Sequence, residues 1–278
     1  MIYSIIYMVA GLSSRFGGKA KSFAKVGPNS ETLIEYSLSQ AIESGFNKII
    51  FIVSKKTENF FREKFQNSYQ GTPIYYAIQE FDETQRDKPW GTADALCSAK
   101  NLIQEPFVVC NGDDIYGKET FKILLEHLKE KNFGTTIGYK LGEVLSETGG
   151  VNRGIFELNI DGNVKNITET LDIKKENLKE KNLSENILVS QNIFALHPEI
   201  VFELNKKLLE FKEKNKGDRK IECYLPVEIS NLIKEGKLIL KLYPTSEKWF
   251  GITNPDDEFK VKQELEKINK KLRGININ

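Results

Sequence analysis

The sequence predicts an α/β fold, a Rossmann-like mixed and mostly parallel sheet flanked by helices, and three observations carry that prediction. Short apolar runs bounded by Gly, Pro, Asn or Asp recur along the first half of the chain. Amphipathic segments fill the gaps between them, and the two kinds alternate. Runs that are apolar throughout suit strands buried on both faces.

The runs at residues 2–8, 48–54, 73–79, 106–111 and 134–139 read as strands. After the first, TLIEYSLSQAIESG sets Leu33, Ile34, Leu38, Ala41 and Ile42 on one helical face and stops at Gly45, a C-cap glycine. TENFFREKFQ, TADALCSAKNLI and KETFKILLEHLKEK supply the next helices. Beyond about Leu141 the texture changes. VNRGIFELNIDGNVKNITET reads as a hairpin turning at DGN, and ILVSQNIFAL as a further strand. A Pro-started helix follows in PEIVFELNKKLLEFKEK. A helix in LPVEISNLIKEG, a strand in KLILKLY and a last helix from Pro255 complete the order, while the Lys/Glu/Asn-rich residues 174–186 read as a solvated excursion. With no repeat and no low-complexity linker, one domain over residues 1–278 is expected.

Composition narrows the function. Lys and Arg number 40 against 39 Asp and Glu, a formal net charge of +1, which gives no support to a sequence-blind nucleic-acid binder. Cys97, Cys110 and Cys223 lie far apart and form no CxxC, so neither a disulfide framework nor a zinc site is indicated, and a reducing interior is expected. His127 and His197 are the only histidines, a poor supply for triad or metal chemistry. No apolar stretch approaches the ~20 residues that span a bilayer. The opening MIYSIIYM lacks a basic leader and reads as a strand. A soluble cytoplasmic protein, with neither nucleic acid nor membrane as partner, is the expectation; a homo-oligomer is left open.

The first strand opens into MVAGLSSRFGGKAK, rich in glycine and cationic side chains and suited to a polyanion such as the phosphates of a nucleotide. It is not a P-loop, because five residues separate Gly11 from Gly17 and Gly18-Lys19 is followed by Ala20. Nor is it a dinucleotide fingerprint, since Ser13 and Phe16 stand where glycines are needed.

The loop resembles that of the sugar-phosphate nucleotidyltransferases, AAGxGxR followed by Lys. VGPNSETLIEYSL, KPWGTADAL and CNGDDIYG are similar to further motifs of that family, and VNRG, ECYLPVEISNLI and WFGITNPDD keep its order and spacing. The resemblance covers nearly the whole chain. It implies a nucleotide-binding part over about 1–140, an acceptor-binding part over about 141–254 and a C-terminal helix over 255–278. The implied reaction is attack of a phosphorylated acceptor, typically a sugar 1-phosphate, on the α-phosphorus of an NTP with release of pyrophosphate. An anionic phosphate nucleophile needs no strong base, so catalysis reduces to positioning and charge neutralisation. A cytidylyltransferase acting on a non-sugar phosphate such as phosphocholine is the chemical alternative, and a catalytically silent nucleotide-binding regulator the other.

By the same resemblance, Ala10, Gly11, Ser13 and Ser14 would line the nucleotide pocket and Arg15 would neutralise the departing pyrophosphate. Lys21 would contact the α-phosphate and the attacking phosphate; counting back from VGP selects Lys21, with Lys19 as the alternative. Gln79 would read the base, Gly91 would allow the base to approach, and Thr92 would assist while capping the helix that begins at Ala93. Asp113 would bind Mg²⁺, the implied cofactor, with phosphates and water filling the other positions. Gly154, Glu169 and Asn192 would contact the acceptor. The late segment has Thr253 where many relatives carry a second metal carboxylate, and Asp256 and Asp257 suit a helix N-terminus.

Overall fold

The computed structural model describes residues 1–11, 21–146, 149–252 and 255–272. The first apolar run becomes β1 (Ser4–Met8), followed by α1 (Leu33–Ser44), β2 (Lys48–Val53), α2 (Glu58–Phe65), β3 (Ser68–Tyr69), β4 (Thr72–Ile78), α3 (Thr92–Ser98), β5 (Phe107–Asn111), β6 (Asp114–Ile115), α4 (Lys118–Glu130) and β7 (Gly134–Lys140). Then come β8 (Val151–Leu158), β9 (Val164–Ile173), β10 (Leu188–Ser190), β11 (Phe194–Leu196), α5 (Pro198–Lys214), α6 (Leu225–Lys234), β12 (Leu240–Pro244), β13 (Phe250–Gly251) and α7 (Pro255–Leu272).

Alternation along the inner strands explains why they are apolar throughout. Ile5, Tyr7, Ile49 and Phe51 face a core shared with Leu38 of α1, Phe61 of α2 and Phe121 of α4. Ile6, Ile50 and Ile52 face the other way, against Leu96 of α3, Leu204 of α5 and Ile229 of α6. Each strand thus separates two hydrophobic layers, which is the burial that drives the fold. β4, β2, β1 and β5 are parallel neighbours, so their C-terminal ends share one edge. Antiparallel pairing starts where β11 joins β5 to β7. β12 runs parallel to β7, and β10 passes from β7 to the β8–β9 hairpin. No helix of the described residues is long and apolar enough to cross a membrane.

Two expectations need correction. TADALCSAKNLI is helical only as far as Ser98, because the chain turns back through Ala99–Leu102 hydrogen bonding to enter β5. ILVSQNIFAL is two strands, not one. β10 pairs with β7 and β8 while β11 pairs with β5 and β7, and Asn192 takes the left-handed conformation (φ 56°) between them. That break turns residues 191–193 out of the sheet. The DGN hairpin holds, with Gly162 at φ 76° and Asn163 N–H donating to Asp161 Oδ1 at 3.0 Å.

Candidate active site

The site lies at the C-terminal edge of the parallel strands, where open α/β sheets place ligands. Met8 and Asn111 end β1 and β5 in register. Gly112 N–H donates to Met8 O at 3.1 Å, and a Cβ on Gly112 would stand 2.0 Å from Val9 Cγ1. A glycine is needed there for the two loops to close on each other. The next residue is Asp113. Its carboxylate is 3.8 Å from Lys21 Nζ, with side-chain exposures of 39% and 22%. Lys21 opens a single helical turn whose Phe23 packs on Phe61 with ring centroids 4.8 Å apart. The structure therefore brings Lys21 and Asp113 together, whereas Lys25 is exposed and its N–H donates to Glu258 of α7. Ser13, Ser14, Arg15, Lys19 and Thr253 lie outside the described residues, and Ala10 and Gly11 lead up to that gap.

Asp113 and Asp114 are neighbours with different surroundings. Asp114 is buried and accepts from Asn111 Nδ2 at 2.9 Å and from the Tyr116 hydroxyl at 3.2 Å. Burial, then the adjacent Asp113 charge, pushes its carboxyl up to about 7. Asp113 is also raised by loss of hydration, with the Lys21 ammonium pulling it back. Of the two, Asp113 has the exposed carboxyl and could hold a cation. Among the described residues no group of three or more His, Cys, Asp or Glu is placed to hold a metal ion.

The other candidates occupy two neighbouring places. Gln79 follows β4, is buried, and donates from Nε2 to Gly91 O at 3.0 Å and to Asp94 Oδ2 at 2.8 Å. Its amide N–H groups are thus engaged within the protein. Gly91 has φ 101°, and a Cβ on it would lie 2.6 Å from Cys223 O. The conformation and the crossing of that backbone require glycine here, whatever approaches from the other side. Thr92 is the first residue of α3 and does not cap it. Its Oγ1 instead accepts from Leu225 N–H at 2.9 Å, satisfying a donor at the start of α6. Trp90 packs under the Arg86 guanidinium, 3.5 Å from ring centroid to Cζ.

Gly154, Glu169 and Asn192, expected together, do line one cavity of about 180 Å³, and Thr92 joins them. Gly154 and Glu169 are opposite each other in the β8–β9 register, and a Cβ on Gly154 would meet Ile167 Cγ2 at 2.8 Å. Burial raises the Glu169 carboxyl, with Arg153 opposing. Asn192 Nδ2 donates to Asn111 Oδ1 at 2.7 Å, so the break between β10 and β11 ties the cavity to the strand leading into Asp113.

Arg153 escaped the sequence reading, which took VNRG to mark its glycine. It lines this cavity and a second one of about 250 Å³ that Asp257 also borders. Its guanidinium donates to Asn152 O and Val144 O, both at 3.0 Å, and lies 5.1 Å from the Trp249 ring centroid. Burial lowers its pKa, and Asp114 and Glu169 work against that. An arginine in the middle of a predicted hairpin strand was the available signal. Trp249 belongs to WFG, whose Gly251 pairs with Asp114 between β13 and β6.

The sequence matches the family described as "Nucleotidyl transferase" over residues 18–268. The chain belongs to that family. The bifunctional protein GlmU of Methanococcus maripaludis (strain C7) is 28% identical over 201 residues, 72% of this chain and 39% of that one. GlmU of Methanocaldococcus jannaschii is 27% identical over 237 residues, 84% and 47% respectively. This nucleotidyl transferase family member thus spans less than half the length of these relatives. Among solved structures, a putative glucose-1-phosphate thymidylyltransferase from Bacillus anthracis, in complex with a sucrose, superposes with TM-score 0.67 at 17% identity, covering 99% of this chain and 96% of that one. UDP-glucose pyrophosphorylase complexed with UDP-glucose gives 0.66 at 16%, covering 96% and 100%. HddC from Yersinia pseudotuberculosis complexed with GMP-PN gives 0.60 at 15%, covering 95% and 99%. At such identities the structures establish the shared fold.

Proposed function

We propose that the protein transfers a nucleotidyl group from an NTP to a sugar 1-phosphate, giving an NDP-sugar and pyrophosphate. The observation that carries this reading is the continuity of the site: Asn111 lines the small cavity, and Asp113, facing Lys21, follows two residues later. An acceptor seated in the cavity would therefore have its phosphate directed toward the pair. A phosphate oxygen of the acceptor forms a bond to the α-phosphorus as the bond to the bridging oxygen breaks, and the electron pair leaves with pyrophosphate. Lys21 would hold the two phosphates in line and offset the negative charge that gathers as they meet. Mg²⁺, held through Asp113, would supply further neutralisation of the triphosphate. Gln79, Gly91 and the loop from Ala10 through Arg15 would form the nucleotide side.

The cavity lining favours a sugar. It consists largely of amides and hydroxyls, together with Glu169 and Arg153, and contains one aromatic ring, Tyr224. A quaternary ammonium such as choline is recognised by a cage of aromatic faces, which is absent among the described lining residues. The solved relatives that hold a nucleotide analogue and a sugar nucleotide support the same reading.

Pyrophosphate release should be assayed with the four NTPs against sugar 1-phosphates and alcohol phosphates, with and without Mg²⁺. Release is expected only when NTP, a sugar 1-phosphate and Mg²⁺ are all present. Phosphate release from NTP alone would indicate a hydrolase, a preference for phosphocholine would select the cytidylyl alternative, and nucleotide binding without transfer to any acceptor would indicate a regulator.

A further inference from the structure

Asp94 is the one acidic residue of TADAL, and none of the roles above uses it. It is buried within the first turn of α3, where an acidic side chain is often an exposed helix-start charge. Here its two carboxylate oxygens are used separately. Oδ2 accepts from Gln79 Nε2 at 2.8 Å, and Oδ1 accepts from Lys212 Nζ, brought from α5. Lys212 Nζ in turn lies 5.8 Å from the Trp90 ring centroid. The Gln79 amide therefore sits between two acceptors, Gly91 O and the Asp94 carboxylate. Turning it over would set its carbonyl oxygen against both, so only one orientation is tolerable. With Nε2 donating twice, Oε1 is the atom left for a ligand, and no donor among the described residues reaches it.

We propose that Asp94, held by Lys212, is a positioning residue for base recognition. It locks Gln79 so that the nucleotide pocket offers an acceptor and requires a base with an N–H at that point. A free glutamine amide can rotate to suit either a donor or an acceptor and discriminates weakly. A locked one leaves a buried oxygen unpaired whenever the wrong base edge faces it, and sites built on such a hydrogen bond discriminate strongly. The inference rests on Gln79 lying on the nucleotide side, as proposed above, and makes no demand on catalysis.

The test is calorimetric binding of ATP, GTP, CTP and UTP to the wild type, Asp94→Asn and Lys212→Met, with thermal unfolding of each. Asp94→Asn removes the pairing with Lys212 and offers the amide a donor as well as an acceptor. The wild type should prefer its best NTP by at least ~30-fold, in line with a hydrogen bond to a locked polar group. Asp94→Asn should compress that ratio to about 5-fold or less, mainly by weakening the preferred NTP, and Lys212→Met should do so partially. A purely structural role for Asp94 would lower the melting temperature and leave the ratios between bases alone. Unchanged ratios in Asp94→Asn, or a wild type that binds all four NTPs alike, would overturn the proposal. Selective binding without transfer in the pyrophosphate assay would leave it standing and remove only the assigned reaction.

Discussion

The two sides of the cleft are built in different ways. The proposed nucleotide side is a row of loops at the ends of parallel strands, and each loop is one continuous piece of sequence. Val9 to Gly11 follow β1, Gln79 follows β4, and Gly112 and Asp113 follow β5. The proposed acceptor side is a cavity assembled from residues 92, 111, 152–154, 169, 190–192, 224 and 226, brought together by antiparallel pairing and by the start of α6. A parallel sheet places all its C-terminal ends on one edge, so a local motif already carries its position. In a hairpin, which side chain meets which depends on register, and a one-residue slip reverses every face.

If that contrast is functional, substitutions on the two sides should separate in kinetics. The largest effect is expected at Asp113 and Lys21. Asp113→Asn should abolish pyrophosphate release at ordinary Mg²⁺, and Lys21→Ala should lower kcat at least ~10²-fold, because each removes neutralisation needed most in the transition state. Lys25→Ala serves as the control, since its side chain is exposed and remote in role. A Lys21→Ala enzyme with normal kcat would break the assignment of this edge.

A smaller and different effect is expected across the cleft. Glu169→Gln should raise the KM for the acceptor by about 10-fold, the loss of roughly one hydrogen bond to a charged group, and leave the KM for NTP within about 2-fold. A parallel rise in both values would mean that the two sides do not act as separate subsites.

The last effect concerns stability. Asp114 has its carboxyl held up to about 7, against 3.8 for the same group in an unconstrained chain. Between those values the folded protein binds more protons than the unfolded chain, so stability falls as pH rises from about 4 to 7 and then levels off. Asp114→Asn removes that titration while keeping the shape. Without divalent cations its melting temperature should exceed that of the wild type above pH 7, at about 2–4 °C per kcal/mol for a chain of this size, and the gap should close toward pH 4. A wild type that is the more stable at pH 8 would show that Asp114 is ionised and well paired.

The sequence by itself determined the long strands, the helices and their order, but not the two-residue strands β3, β6 and β13 or the division of ILVSQNIFAL into β10 and β11. Strand edges at Met8, Val53, Ile78 and Asn111 lie within a residue of their predicted limits, and α5 runs over the predicted Pro198–Lys214. Burial on both faces writes a continuous apolar run, helices write a 3.6-residue period, and both signals are local. The separation of Thr92 from a capping role, the break at Asn192, the use of Arg153 and the Asp94–Gln79–Lys212 arrangement were decided by the tertiary structure alone. Each depends on a partner tens of residues or more away: Leu225 for Thr92, Asn111 for Asn192, Trp249 for Arg153 and Lys212 for Asp94. A side chain's hydrogen bonds, and the energy of its charge, are set by what packing brings within a few ångströms of it. Propensity and spacing along the chain carry no record of that distance.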